Sequence, residues 1–163
     1  MGNTVEIKLN RGFVAIVDED DFERVNAYKW SKCKGKRGKT CYAITNINGK
    51  KVRLHRFILG MTDPKIEVDH KDANGMNNSK INLRPATRKQ NAQNLPIREN
   101  SKTGYKGVCL RKGRTTYQAH IGINGKTKVL GCFNTKEDAA RAYNEAALMN
   151  YGEFSNLNEI PCV

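Results

Sequence analysis

Glu67-Val-Asp-His-Lys-Asp72, followed by Asn77-Asn78, Asn82-Leu-Arg84 and Thr87-Arg-Lys-Gln-Asn-Ala-Gln-Asn94, is the stretch on which the fold turns. Ile66-Glu-Val-Asp69 reads as a strand that enters a long polar loop, Lys71 to Ser79. Ile81-Asn-Leu-Arg84 reads as the returning strand, with Pro85 ending it. Thr87 lies three residues before Gln90, the spacing of a capping box, so a helix is expected from there to about Asn94. An imidazole with a pKa near ~6.5 can take a proton from water at neutral pH. A carboxylate and an amide oxygen are donors for a hard divalent cation. Strand, loop, strand and helix thus gather the side-chain types of metal-assisted phosphodiester cleavage within 28 residues. Alternation along a strand sends Asp69 and His70 to opposite faces unless the strand bends there, and such a bend is what a site shared by the two side chains needs.

The order and spacing of Asp69-His70, Asn82 and Asn91 resemble the nuclease core of the HNH endonucleases, in the variant where Asn replaces the last His. The resemblance implies a ββα-metal finger over about residues 66–94. It implies catalytic roles for His70, as general base, and for Asn82, as the amide that holds the loop and with it the base. It implies that Asp69 and Asn91 hold the metal, Mg2+ or Mn2+ rather than zinc, because an amide oxygen is a harder donor than imidazole. Arg84 and Arg88 flank the site, and His55-Arg56 precedes it; all four are candidates for contact with DNA.

Composition agrees with a polyanionic partner. The chain has 163 residues and a net charge of +13, and cations facing phosphates dominate nucleic-acid affinity. Residues 1–60 carry 13 basic and 6 acidic side chains, residues 61–94 carry 6 and 4, and residues 95–163 carry 10 and 6. The motif segment is the least basic, which suits a place that must gather a cation. The five cysteines, Cys33, Cys41, Cys109, Cys132 and Cys162, form no Cys-x-x-Cys pair and are expected as free thiols in a reducing compartment. Cys33, Cys41 and His55 have the donor types of a zinc site without its usual paired spacing. No signal peptide and no segment of membrane-spanning length is read. The expected location is the cytoplasm of a bacterial or phage-infected cell.

Before the motif, Val5–Leu9 and Phe13–Val17 read as a hairpin, Asp18–Val25 as a short acidic-led helix, and Lys32–Lys39 as a basic, Gly-rich loop. Trp30 is expected to anchor the core. Asn48-Gly49 marks a tight turn between two strands. After the motif, residues 95–103 read as a linker. Three strands follow, Tyr105–Leu110, Thr116–Ile121 and Lys128–Phe133, then a helix capped by Thr135 and stopped by Gly152. Its expected buried face is Ala139, Tyr143, Ala146 and Met149.

Tyr105-Lys-Gly-Val108, Ala119-His-Ile121, Leu130-Gly-Cys-Phe133 and Asp138-Ala-Ala-Arg-Ala-Tyr143 resemble the DNA-binding domain of APETALA-two and ethylene-response factors. That family lays its sheet in the major groove, so Lys106, Arg111, Arg114, Tyr117 and Lys128 are implied to contact DNA. Cys109 and His120 depart from the family's usual arginine and glutamate, so no base preference carries over.

The whole is expected to be α+β, a β-rich region leading into the finger and then a three-stranded antiparallel sheet on one helix. The nuclease domain is expected over 1–94 and the DNA-binding domain over 104–158. The expected function is a homing-type, site-specific, metal-dependent endonuclease on double-stranded DNA that leaves 5′-phosphate and 3′-hydroxyl ends. A monomer is expected, with a dimer left open. The alternative is a sequence-specific DNA-binding or regulatory protein with a degenerate nuclease core. A generic RNA-binding protein is a third reading that charge alone does not exclude.

Overall fold

In the computed structural model, residues 3–35, 40–98 and 100–161 are described. Lys36–Lys39, expected as loop, and Cys162 lie outside them. The chain is α+β, built of small antiparallel sheets and few helices. It divides into two compact units, residues 1–91 and 92–163.

The first unit begins with a hairpin of β1 (Thr4–Lys8) and β2 (Val14–Asp18), in register from Thr4 opposite Asp18 to Lys8 opposite Val14. Alternation buries Ile7, Ala15 and Val17 on one face. The segment expected as one helix from Asp18 is a 3-10 turn, Glu19–Asp21, and then α1 (Phe22–Asn26). Trp30 is 2% exposed, and its indole N–H donates to the Val25 carbonyl at 2.8 Å. A second sheet holds β3 (Ser31–Lys34), β4 (Cys41–Ile47) and β5 (Lys50–Arg53) in that order. Lys32–Lys34 is therefore strand rather than loop, because it pairs with Cys41–Ala43. Asn48 and Gly49 make the turn with φ of 50° and 77°, which an Asn-Gly pair tolerates. α2 (Leu54–Ile58) follows at once and buries Leu54, His55 and Ile58.

β6 (Glu67–His70) and β7 (Leu83–Ala86) form an antiparallel pair, and α3 (Arg88–Gln93) follows. Both strands lie later than the sequence pattern suggests. Pro85 does not end β7 but sits inside it, opposite Val68. A two-stranded sheet has only edge strands, which tolerate the missing N–H. Thr87 and Gln90 form the capping box: Gln90 side-chain Oε1 accepts from the Thr87 N–H at 2.8 Å, and the Gln90 backbone N–H donates to Thr87 Oγ1 at 3.2 Å.

The second unit holds β8 (Val108–Leu110), β9 (Tyr117–Ile123) and β10 (Lys126–Phe133), with β9 central, and then α4 (Lys136–Tyr151). Thr135 caps α4 by accepting from the Asp138 N–H at 3.1 Å. The buried face is Ala139, Ala140, Tyr143 and Ala147, whereas Met149 is 77% exposed. The stripe that meets the sheet is thus rotated from the expected one, because the smallest residues set the closest approach. Gly107 permits this packing, since a Cβ there would lie 2.1 Å from the Tyr143 ring. Residues 95–98, expected as linker, are irregular, and the Lys106 ammonium donates to the Gln93 and Leu95 carbonyls at 2.7 and 2.6 Å.

Candidate active site

The β6–β7 pairing runs in unbroken register through His70 opposite Leu83, so the bend expected at Asp69-His70 is not found there. Glu67 and Asp69 share one face of β6, and Val68 and His70 share the other. Asp69 is 3% exposed and lies opposite Arg84 in the register. Arg84 Nε and Nη2 both donate to Asp69 Oδ2, at 2.8 and 2.7 Å. A carboxylate removed from water needs such a partner, and the arginine, itself buried, supplies it. Two residues read separately, one as metal ligand and one as phosphate contact, are therefore joined.

Asn91, on α3, donates through Nδ2 to Glu67 Oε2 at 2.6 Å. A carboxylate only accepts, so this bond fixes the amide: nitrogen to Glu67, oxygen to the other side. Asp69 and Asn91 offer oxygen donors, which fits Mg2+ or Mn2+. Among the described residues no three His, Cys, Asp or Glu side chains gather as a metal site, so Cys33, Cys41 and His55 do not form one.

His70 is buried, with Nε2 3.4 Å from Asn78 Oδ1. Its ring centroid lies 5.0 Å from that of His55 and 5.9 Å from that of Tyr42. Burial pulls the His70 pKa below the ordinary histidine value, while the Asn78 bond and the Asp72 and Asp69 carboxylates act in the opposite sense. His55 is pulled down to about 2, first by burial, then by His70 and by Arg53 and Arg56. Among the described residues its Nδ1 has no hydrogen-bond partner. His55, Tyr42, Arg53, Arg56, Glu67 and Asn91 line a cavity of about 370 Å3.

Asn82 holds the loop. Its Nδ2 donates to Asp72 Oδ1 at 2.9 Å and to the Asn77 carbonyl at 2.8 Å, and its Oδ1 accepts from the Asp72 N–H at 3.1 Å. Both Asp72 and Asn74 accept from backbone N–H groups two residues on, as turn formers do.

The remaining candidates separate. Arg88 is exposed at the start of α3. The Arg56 guanidinium is occupied by the Ile66 and Asp63 carbonyls, at 2.7 and 2.6 Å. Lys106 is partly buried on main-chain carbonyls, and burial takes its pKa down to about 8. Tyr117 packs against the second unit's core. Arg111, Arg114 and Lys128 are exposed, with Arg111 Nη1 3.7 Å from Cys132 Sγ.

Sequence reasoning passed over Tyr42, Glu67 and Asn78. Glu67 and Asn78 carried a signal only by standing inside the motif, the first at its start and the second as half of the Asn77-Asn78 pair.

A curated relative from Acanthamoeba polyphaga mimivirus, named an uncharacterized HNH endonuclease, is 36% identical over 155 residues. The match covers 92% of this chain and 77% of the relative. No protein-family model matches the chain, and no solved structure does.

Proposed function

Because the chain belongs to the HNH endonuclease family, we propose that it is a homing-type, site-specific, metal-dependent endonuclease on double-stranded DNA. The observation that carries this reading is a buried imidazole, His70, on the same short strand as Asp69, with Asn91 bonded back to that strand through Glu67. The β6–loop–β7–α3 order supports reading this segment as a ββα-metal finger. His70, kept neutral by burial, takes a proton from water. The water oxygen bonds to phosphorus, the bond from phosphorus to the 3′ oxygen breaks, and that oxygen takes a proton from solvent water, leaving 5′-phosphate and 3′-hydroxyl ends. Asp69 and Asn91 would hold Mg2+ or Mn2+, which when bound neutralises charge on the phosphate and the departing oxygen. Asn82 keeps the loop, and so His70, in place. Arg53, Arg56 and Arg88 give the surroundings the charge a phosphate backbone needs.

For the second unit the proposal is duplex-DNA binding of the APETALA-two type, by the sheet face that carries Arg111. Its support is the exposed Arg111 and Arg114, in the turn between β8 and β9, and the exposed Lys128 on β10, all belonging to a sheet packed on α4. A monomer working in the cytoplasm of a bacterial or phage-infected cell completes the reading.

The alternative, a DNA-binding protein with a degenerate core, draws on the burial of Asp69 by Arg84. Incubation of supercoiled plasmid with Mg2+, Mn2+ or EDTA separates the two. Nicked or linear product with either metal and none with EDTA is expected. Binding without cleavage under every metal condition would favour the degenerate core. Asp69→Ala and Asn91→Ala should each raise the metal concentration needed for half-maximal cleavage.

A further inference from the structure

We infer that Asn78 is a positioning residue that fixes His70 in the tautomer with hydrogen on Nε2, so that Nδ1 is the nitrogen with the lone pair. The inference rests on the nuclease reading for its consequence, and on geometry for its substance.

Asn78 is 0% exposed. Its Nδ2 donates to the Met76 carbonyl at 3.0 Å. Turning the amide over would set Oδ1 against that carbonyl, two acceptors facing each other with no proton between them. One orientation survives, and in it Oδ1 faces His70 Nε2 at 3.4 Å. An amide oxygen only accepts, so the nitrogen it faces is the one that carries the hydrogen. In a neutral imidazole the other nitrogen is then the base. His70 is 5% exposed, so bulk water does not settle the question and its neighbours do.

The two asparagines of the motif divide their work. Asn77 serves the loop: its Nδ2 donates to Asp72 Oδ2 at 2.8 Å, and its Oδ1 accepts from Ser79 Oγ at 3.0 Å. Asn78 serves the histidine.

The acceptor is held by the N-terminal hairpin. The Asn78 N–H donates to the Ile16 carbonyl at 2.7 Å, and the Ile16 N–H donates to the Met76 carbonyl at 2.8 Å. Ile16 and Asn77 thus form a parallel bridge. The Lys80 N–H donates to Asp18 Oδ2 at 2.8 Å. β2 is therefore a platform for the loop, and the hairpin's contribution to cleavage is the aim of one imidazole. The ring itself is caged by His55, edge-on at 83°, and by Tyr42. The loop closes on that cage at Gly75, where a Cβ would lie 2.3 Å from the Cys41 carbonyl oxygen and 2.8 Å from the Tyr42 ring. Only glycine lets the loop come so near.

The test is long-range proton–nitrogen NMR of the full chain with 15N-labelled histidine, His70 being assigned by its loss in His70→Gln. In the wild-type protein the His70 Nε2 signal should be of the protonated type and Nδ1 of the unprotonated type. Asn78→Ala should move His70 toward a mixture of tautomers. It should lower single-turnover cleavage by about tenfold to a hundredfold, as loss of a group that orients a functional histidine does, with DNA affinity unchanged. A wild-type spectrum with hydrogen on Nδ1 would overturn the inference, whether or not the variant folds. So would a folded Asn78→Ala protein with unaltered tautomer and rate. If the expected tautomer appears but no metal supports cleavage by the wild-type chain, the nuclease reading fails and the Asn78 assignment stands.

Discussion

The two units treat their polar residues in opposite ways. Among the described residues, eight of the ten buried polar or charged side chains lie in residues 1–91, and only Asn94 and Thr103 lie beyond. The first unit buries His55, Asp69, His70 and Arg84 close to its core; the second buries alanines and puts its arginines, and its lysines other than Lys106, outside. Burying ionisable groups costs stability unless each is paired, so a chain that does it at one place gives up stability for aim. A surface that meets a polyanion needs only exposed charge. Under the proposed function, chemistry falls to the first unit and attachment to the second, and each variant below strains that division.

The largest effect is expected at His70. His70→Ala should lower cleavage by ~10²–10⁴-fold, the usual worth of a general base, while leaving DNA affinity nearly intact. Single-turnover cleavage and a binding titration on the same preparation check both halves. An equal loss in both would place His70 in attachment and break the comparison. Next is Arg84→Ala, which takes from the buried Asp69 carboxylate the guanidinium that pairs with it. Removal of one partner from a buried pair typically costs about 3–5 kcal/mol, so the first unit should melt at much lower temperature. Arg88→Ala, on the exposed start of α3, should change Tm little. A mild Arg84→Ala would mean that water reaches Asp69, contrary to its 3% exposure.

Much of this is legible in the sequence because spacing carries it. The hairpin at Asn48-Gly49, the capping box at Thr87 and the cap at Thr135 are local signals, readable from a few neighbouring residues. What spacing does not carry is pairing across strands. Nothing in the order of residues says that Arg84 faces Asp69, since a register shift of one would turn it away. Nor does order tell a lysine that solvates from one that is swallowed: Lys106 and Arg111 look alike in sequence, yet one is bound to carbonyls and the other is exposed. The helix face of α4 departs from its periodicity at Met149 for the same reason, because what sets the rotation is the sheet it meets.

Acid should find the first unit before the second. In the folded state His55 has a pKa of about 2, against the ordinary 6.5 when unfolded. Between those values the unfolded chain binds the extra proton, so folding stability is complete above pH 6.5 and falls as pH drops below it. The slope for one such group is about 1.4 kcal/mol per pH unit, and His70, shifted in the same direction, adds to it. Thermal melts from neutral pH down through the acid range should show Tm falling on the acid side. His55→Phe, which keeps a buried ring and removes the proton site, should flatten the fall. An unchanged acid slope in that variant would mean that His55 is not the group that resists protonation.

The smallest effect in stability, and the sharpest contrast between side chains, sets Arg111 and Arg114 against Lys106. The two arginines are exposed on the second unit, and surface substitutions usually stay within about ±0.5 kcal/mol. Removing them as Arg111→Ala with Arg114→Ala should leave Tm where it was. The plot of log affinity against log salt should become shallower, by roughly 0.9 for each phosphate that is no longer neutralised. Lys106→Ala should do the reverse. Its ammonium already serves the Gln93 and Leu95 carbonyls, so its removal leaves those acceptors unsatisfied and lowers Tm, while the salt slope stays put. One resemblance gives all three residues one role, and the structure divides them. If Lys106→Ala shallowed the salt slope as much as the arginines do, the ammonium would have to leave its carbonyls to meet phosphate. The division between buried aim and exposed attachment would then not hold inside the second unit.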